Sequence, residues 1–328
     1  MIRLSARFAS AAALLVLTMP LMQAKAQTQV PAAPAADAPA PAPQGPPVFP
    51  TPDPKYFTAP LPTKDTINAF LSASWGYEEN RVWQVQAILK TPVEGVSKVV
   101  VFVGDKTGKE KPSALEFYAF ADGKHIITGD QIVAFGATPF ADFRAQMQQK
   151  ADGPFRGSPD KGLELVEFAD FQCPHCKEAQ ANMDKLAVDF PKARIVFQND
   201  PIVSIHPQSV TAAAYGVCVA KLAGSTAFFT FAAAVFDGQD GLATADGATL
   251  TLNSAATKAG VDTAKVAACA ASSETKAVVD ASVKLAEDLG VTQVPMLVVN
   301  GREVPANAPY DTLKKIVEYQ AKLDGVTK

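Results

Sequence analysis

Cysteine and histidine are both scarce. The chain of 328 residues holds 4 cysteines and 3 histidines. That is too few thiols for a small fold stapled by disulfides. A structural zinc site takes about four ligands, and there is no second C-x-x-C to complete one, so no metal is expected. Basic residues are not in excess: 30 Lys and Arg stand against 33 Asp and Glu, for a formal charge of -3. This argues against nucleic acid as a partner. Beyond the N-terminus no segment reads as long and apolar enough for the ~20 residues that a membrane-spanning helix needs.

Arg3 and Arg7, an apolar stretch around Ala11 to Leu17, and Ala24-Lys25-Ala26 as an A-x-A site make residues 1–26 read as a secretory signal. No cysteine lies near the cleavage point, which argues against a lipoprotein. The expectation is an exported protein, periplasmic in a bacterial setting. Residues 27–60 are rich in proline and alanine: eleven of the 25 prolines fall between Pro31 and Pro60. Such a stretch cannot build a packed core and reads as a disordered, extended tether.

Two modules follow. Residues 61–150 carry one helical segment, TKDTINAFLSAS, and strand-like runs in RVWQVQAIL, SKVVVFV, LEFYAFADGKHIITG and DQIVAF, with Asp122-Gly123 as a hairpin signal. PFADFRAQMQQK reads as a closing helix, and the Gly/Pro-rich residues 151–161 as a linker. Residues 162–328 open with a buried-strand pattern, LELVEFADF, that runs into FQCPHC. Ala179, Met183, Leu186 and Phe190 then recur at helical spacing. ARIVFQN is another strand, about residues 206–289 form an Ala-rich helical block, and VPMLVVN, a turn at Asn300-Gly301, REV and a final helix close the chain. Strand, helix, strand, helical block, strand, hairpin, helix, with C-x-x-C at the first strand-to-helix junction, predicts a thioredoxin-like α/β fold with an inserted helical subdomain. A small α+β domain precedes it.

The chemistry is expected at Cys173-Pro174-His175-Cys176. A thiol at a helix N-terminus meets unpaired N–H groups and the positive end of the helix dipole, which favour the thiolate. Pro174 suits the first helical turn, Cys176 lies one turn on, and a protonated or donating His175 adds to the stabilisation. A stabilised thiolate favours the dithiol, so the disulfide form is a strong oxidant. This chemistry needs no cofactor. Cys218 and Cys269, among small apolar residues at the ends of the helical block, read either as buried free thiols or as a disulfide.

VEFADFQCPHC, DPIVSIHPQSVTAAAYGVCVA and the V-P of GVTQVPMLVVNG together resemble the DsbA family of periplasmic thiol-disulfide oxidoreductases. The likeness covers about residues 162 to 328. It implies that Cys173 is an exposed nucleophile and Cys176 its buried partner. Pro295 is then a cis-proline facing them, with Val294 beside the disulfide. Glu167 is implied to be a buried carboxyl, its pKa raised, that relays a proton for Cys176. Pairing of Cys218 with Cys269 is also implied, as members often carry such a couple.

The first module, through DGKHIITGDQIVAFGA and its flanking helices, is similar to the cystatin-like dimerisation domain of the DsbC and DsbG isomerases, which implies a homodimer. The modules pull in different directions. CPHC and Val294 before Pro295 are of the oxidase type, and groups touching the sulfurs set redox poise, so disulfide donation leads. Reduced exported polypeptides are then the substrates and a DsbB-like membrane protein the reoxidant. Under the isomerase alternative the substrates are misfolded chains and the reductant is DsbD-like. A second alternative is a non-enzymatic chaperone for unfolded exported chains.

Other residues are given plainer roles. His206, in IHPQS, reads as starting a helix before Pro207, and His125 as solvated. Glu164 and Glu167, three apart on a strand, face opposite sides, so only one of them can be buried near the thiols, and the DsbA resemblance implies that it is Glu167. Phe228, Phe229, Phe231 and Phe236 read as helix core. Some apolar surface near CPHC and Pro295 is expected to stay exposed for binding unfolded chains.

Overall fold

Alternating apolar residues build the first sheet. The computed structural model describes residues 49–108, 111–129 and 131–326. The expected signal and most of the expected tether lie outside them. Helix α1 (Lys64–Trp75) is started by Thr63, whose hydroxyl accepts the Thr66 N–H. Strands β1 (Arg81–Lys90), β2 (Val96–Asp105), β3 (Ser113–Phe120), β4 (His125–Thr128) and β5 (Gln131–Ala134) form an antiparallel meander in that order. Val99, Val101, Phe117 and Ala119 share one face because side chains alternate along a strand, and Ile67 and Leu71 of α1 close over them. At the β3–β4 turn Asp122 accepts the N–H groups of Lys124 and His125 while Gly123 takes φ +66°. His125 is half exposed, with Nδ1 2.6 Å from Asp122.

The second sheet has the order β10-β9-β7-β8-β6. Its strands are β6 (Phe155–Gly157), β7 (Glu164–Ala169), β8 (Arg194–Asn199), β9 (Met296–Val299) and β10 (Arg302–Pro305), with β7 and β8 parallel and the other pairs antiparallel. Both faces are covered, which is why β7 and β8 read as near-continuous apolar runs. On one face Leu165, Ile195 and Leu297 meet α3 (Pro174–Asp189) and α8 (Tyr310–Leu323). On the other, Val166, Val196 and Val298 meet α2 (Ala141–Lys150) and α7 (Ser273–Asp288). Between β8 and α7 lie α4 (Ser209–Asp237), α5 (Ala245–Lys258) and α6 (Thr263–Ala270), the inserted helical subdomain.

Several boundaries differ from the sequence expectation. The tether ends before residue 60: Phe57 bridges Ile88, and Thr58 and Ala59 donate to the Ile88 carbonyl. Residues 151–161 are not a free linker, because β6 pairs with β8 there. Helix α2, assigned to the first module, buries Met147 in the second core. The helical block begins at Ser209, leaving His206 in the preceding loop. Contrary to the sequence reading, α4 is also long and apolar enough to cross a membrane by length and composition. It breaks at Gly224, which takes φ +81°, and it buries Phe228, Phe231 and Phe236 in the core around the thiols; Phe229 is partly buried beside them.

All described residues belong to one compact unit, Pro43–Lys328. Arg302 joins the two sheets' domains: it is 6% exposed, donates to the carbonyls of Ala73 and Ser74 at the end of α1, and lies over the Phe140 ring at 4.2 Å. Those carbonyls have no partner within the helix, so the guanidinium serves as its C-terminal cap.

Candidate active site

Strand β7 delivers the chain to the thiols. It ends at Ala169, and after Asp170-Phe171-Gln172 the chain turns into α3 with Cys173 as N-cap and Pro174 in the first turn. Phe171 anchors the turn by stacking on Phe197 at 5.2 Å and contacting Phe228, Phe231 and Phe236. Gln239, from the helical subdomain, donates to the carbonyls of Phe171 and Cys173 at 2.8 and 3.0 Å. Gln172 donates to the Leu242 carbonyl at 3.0 Å. The insertion thus fixes the backbone on both sides of the reactive residue.

The two thiols are unpaired and unequal. Cys176 is fully buried, whereas Cys173 keeps 6% of its surface. Cys173 therefore meets solvent only through a narrow opening, where the sequence reading expected an exposed side chain. The Cys173 thiol is pulled down from its ordinary 9.0 to about 6, first by a hydrogen bond from the Cys176 thiol, then, against the desolvation of its partly buried site, by the N–H groups of Cys176 and His175 and the charge of His206. Burial pushes the Cys176 thiol the other way, and the neighbouring Cys173 and Glu167 add to it. Proximity splits the pair into a ready thiolate and a reluctant one.

His175 is placed differently from the expectation. Its imidazole is two-thirds exposed and turns to Glu178, 3.0 Å away. Its main link to the thiol is the backbone N–H, which the helix start aims at sulfur, and the imidazole adds a smaller charge interaction with Cys173. The pKa of its imidazole is raised, mainly by Glu178.

Glu167 and Glu164 are both buried, on opposite faces of β7. Glu164 accepts from Arg194 Nε at 3.1 Å, and the guanidinium lies 3.7 Å from the Phe155 ring centre. Glu167 faces α3, where Gln180 donates to its Oε1 at 2.8 Å and to the Cys176 carbonyl at 3.1 Å. Burial pushes the Glu167 carboxyl up from 4.5 to about 7. A carboxyl that exchanges its proton near neutrality beside the buried thiol is what a proton relay requires.

The Val294–Pro295 peptide is cis, Pro295 is buried and Val294 half-buried. The Val294 carbonyl lies 4.0 Å from Cys173 Sγ. Cys218 and Cys269 form a disulfide joining α4 to α6. Among the described residues no cluster of His, Cys, Asp or Glu is arranged to hold a metal. Val203 and Ile205 are exposed apolar residues in the loop that leads to His206.

The sequence reading passed over Asp170. It is buried, and its carboxylate accepts from the N–H groups of Gln172 and Ile202 and lies 2.8 Å from His206 Nδ1. Its backbone also brackets the thiols: the Asp170 carbonyl accepts the Cys173 N–H, and the Asp170 N–H points to Cys176 Sγ at 3.4 Å. The signal was an aspartate two residues before a backbone N–H it could cap. Its distant partners are set by the fold and leave no local pattern.

A family model described as Thioredoxin matches residues 149–319. The chain belongs to the thioredoxin family. Solved structures similar to this thioredoxin-family chain include a thioredoxin-like oxidoreductase from Silicibacter pomeroyi DSS-3, 25% identical, covering 55% of this chain and 98% of that one, with a TM-score of 0.46. A periplasmic thioredoxin-like protein from Salmonella enterica serovar Typhimurium is 20% identical, covering 55% and 96%, with a TM-score of 0.45. Oxidised BdbD from Bacillus subtilis is 22% identical, covering 52% and 93%, with a TM-score of 0.46. Among curated proteins, a Na(+)/H(+) antiporter NhaA of Salinispora tropica is 36% identical over 58 residues, which are 18% of this chain and 9% of the antiporter. A second, from Mycolicibacterium vanbaalenii, is 35% identical over 92 residues, 28% of this chain and 14% of the antiporter. The thioredoxin-family chain therefore spans only a small part of the curated relatives it matches.

Proposed function

We propose that this thioredoxin-family chain is an exported thiol-disulfide oxidoreductase that donates disulfides to reduced polypeptides. The observation that carries the reading is the split of one buried dithiol, Cys173 drawn down to about 6 while Cys176 is driven up. Stabilising one thiolate stabilises the reduced form and makes the disulfide form oxidising.

In the forward reaction a substrate thiolate attacks Cys173 Sγ of the Cys173–Cys176 disulfide. The Cys173–Cys176 bond breaks, a substrate–Cys173 bond forms, and the electron pair leaves on Cys176. Glu167, protonated, supplies the proton that the buried thiolate needs. A second substrate thiolate then attacks the substrate sulfur of the mixed disulfide and releases Cys173 as a thiolate. The substrate dithiol loses two electrons to the pair and two protons to solvent, and the chain leaves reduced, with Cys176 a thiol, Cys173 a thiolate and Glu167 taking a proton back from solvent. The oxidant that restores it is a membrane redox protein of the DsbB type, and the compartment is the periplasm.

Cys173→Ala tests the reading. It should abolish oxidation of a reduced model peptide, and unchanged oxidation would remove the enzyme reading in favour of a chaperone-like binder of unfolded chains. The isomerase alternative rests on the first module acting as a dimerisation domain, so a monomer by light scattering removes its main support.

A further inference from the structure

Two stretches far apart in sequence are fastened together beside Cys173. Asp170 bonds His206, and Gln172 accepts the Gln208 N–H. Residues 170–172 lead into the active-site helix, so 206–208 are held against the reactive turn. The fastening centres on one carboxylate: Asp170 is 2% exposed, and among the described residues its only ion-pair partner is His206, whose side chain is 14% exposed. A carboxylate buried without Lys or Arg must be compensated by donors and by whatever positive charge its imidazole partner carries.

The surrounding charges are mostly negative. Asp200, at the start of the 200–206 loop, is pushed up to about 6 by burial, with Asp170 and with Glu287 of α7 adding to it. On α3, the His175 imidazole faces away to Glu178. His206 is thus the imidazole that the fold seats inward, and its charge acts on Cys173.

We propose that Asp170 is a positioning residue and His206 the imidazole it positions: the pair holds that imidazole against the active-site turn, where its protonated form stabilises the Cys173 thiolate and strengthens the couple as an oxidant. The redox consequence rests on the proposed function, while the effect on the thiolate does not.

The test is thiolate absorbance against pH in the reduced full chain, for wild type, His206→Gln and His206→Lys. Gln keeps a donor toward Asp170 but no charge, whereas Lys keeps the charge. In His206→Gln the midpoint should rise by about 0.5–1 pH unit, the size expected for one charge at a partly screened site. In His206→Lys it should stay near wild type. An unchanged midpoint in His206→Gln, or an equal rise in both variants, overturns the proposal, the latter making His206 a packing residue only.

A measurement on the wild type covers the case in which a variant fails to fold. Coupling is reciprocal, so the His206 imidazole should titrate at higher pH by NMR in the dithiol than in the disulfide form. Identical titrations overturn the proposal. Neither readout uses a substrate: if wild type fails to oxidise peptides while both readouts hold, the oxidase reading fails and the role of the pair stands.

Discussion

The Sγ of Cys173 lies 4.0 Å from the carbonyl oxygen of Val294, although 121 residues separate them. The thiol therefore lies against the main chain just before the cis Val294–Pro295 bond. Under the proposed function, an incoming extended chain would meet the main-chain groups of Val294 as it meets the sulfur, which suits recognition without sequence preference. The groups that tune Cys173 come from two places, the Cys176 thiol with the N–H groups of His175 and Cys176 from α3 and His206 from the loop before α4, while the Val294 carbonyl faces the sulfur from the turn before β9.

Cys176 is the largest influence on the Cys173 thiol. Cys176→Ala removes that donor and should raise the Cys173 midpoint from about 6 toward the ordinary value of 9.0, while Cys176→Ser keeps a hydroxyl and should raise it less. Alkylation rate against pH measures both. A midpoint near 6 in the alanine variant would contradict this and assign the stabilisation to the helix terminus and His206.

Glu167 carries a stability signature. Its folded pKa is raised from 4.5 to about 7, so the stability linked to its proton is fully present below pH 4.5 and lost as pH rises through 7. Glu167→Gln stays neutral and still accepts from Gln180. It should therefore be more stable than wild type at pH 8, by about 3 kcal/mol, and equal to it near pH 4. Denaturant melts at the two pH values check this, and the same variant should slow turnover by removing the proton donor to Cys176.

Removing the Cys218–Cys269 bond should lower stability by about 2–4 kcal/mol, the usual effect of releasing a loop of some fifty residues. The paired Cys218→Ala, Cys269→Ala variant, followed by thermal melting, reads it. The Cys173 midpoint should not move, because the bond fastens α4 to α6 and is not among the groups that tune the thiol.

Arg302→Met should loosen the first module. The Ala73 and Ser74 carbonyls would lose their cap, and amide exchange at the C-terminal turn of α1 should speed by about tenfold or more, the factor for ~1.4 kcal/mol of local stability. Unchanged exchange would show that apolar contacts alone hold the joint.

The local parts of the site were legible and the distant parts were not. Cys173 at the start of a helix, Pro174 in its first turn and the buried strand ahead of them follow from neighbouring residues, and so does the helical spacing of Ala179, Met183 and Leu186. His175 shows the limit: spacing put it beside the thiol, but Glu178, three residues on, draws its imidazole to solvent. Asp170, Gln172 and Gln239 are ordinary polar residues until the fold supplies their partners. The three-residue strand β6 forms because the edge of β8 is available to pair with it, so FRG carried no strand signal. His206 read as a helix start because Pro207 follows it, while the Asp170 carboxylate that holds its imidazole lies 36 residues away.

The central claim is that the fold makes the Cys173/Cys176 couple oxidising. Its most direct test is the reduction potential by equilibration of the full chain with glutathione. A value nearer the roughly -120 mV of strong disulfide donors agrees with the split dithiol described above, and a value near the roughly -270 mV of reducing thioredoxins contradicts it.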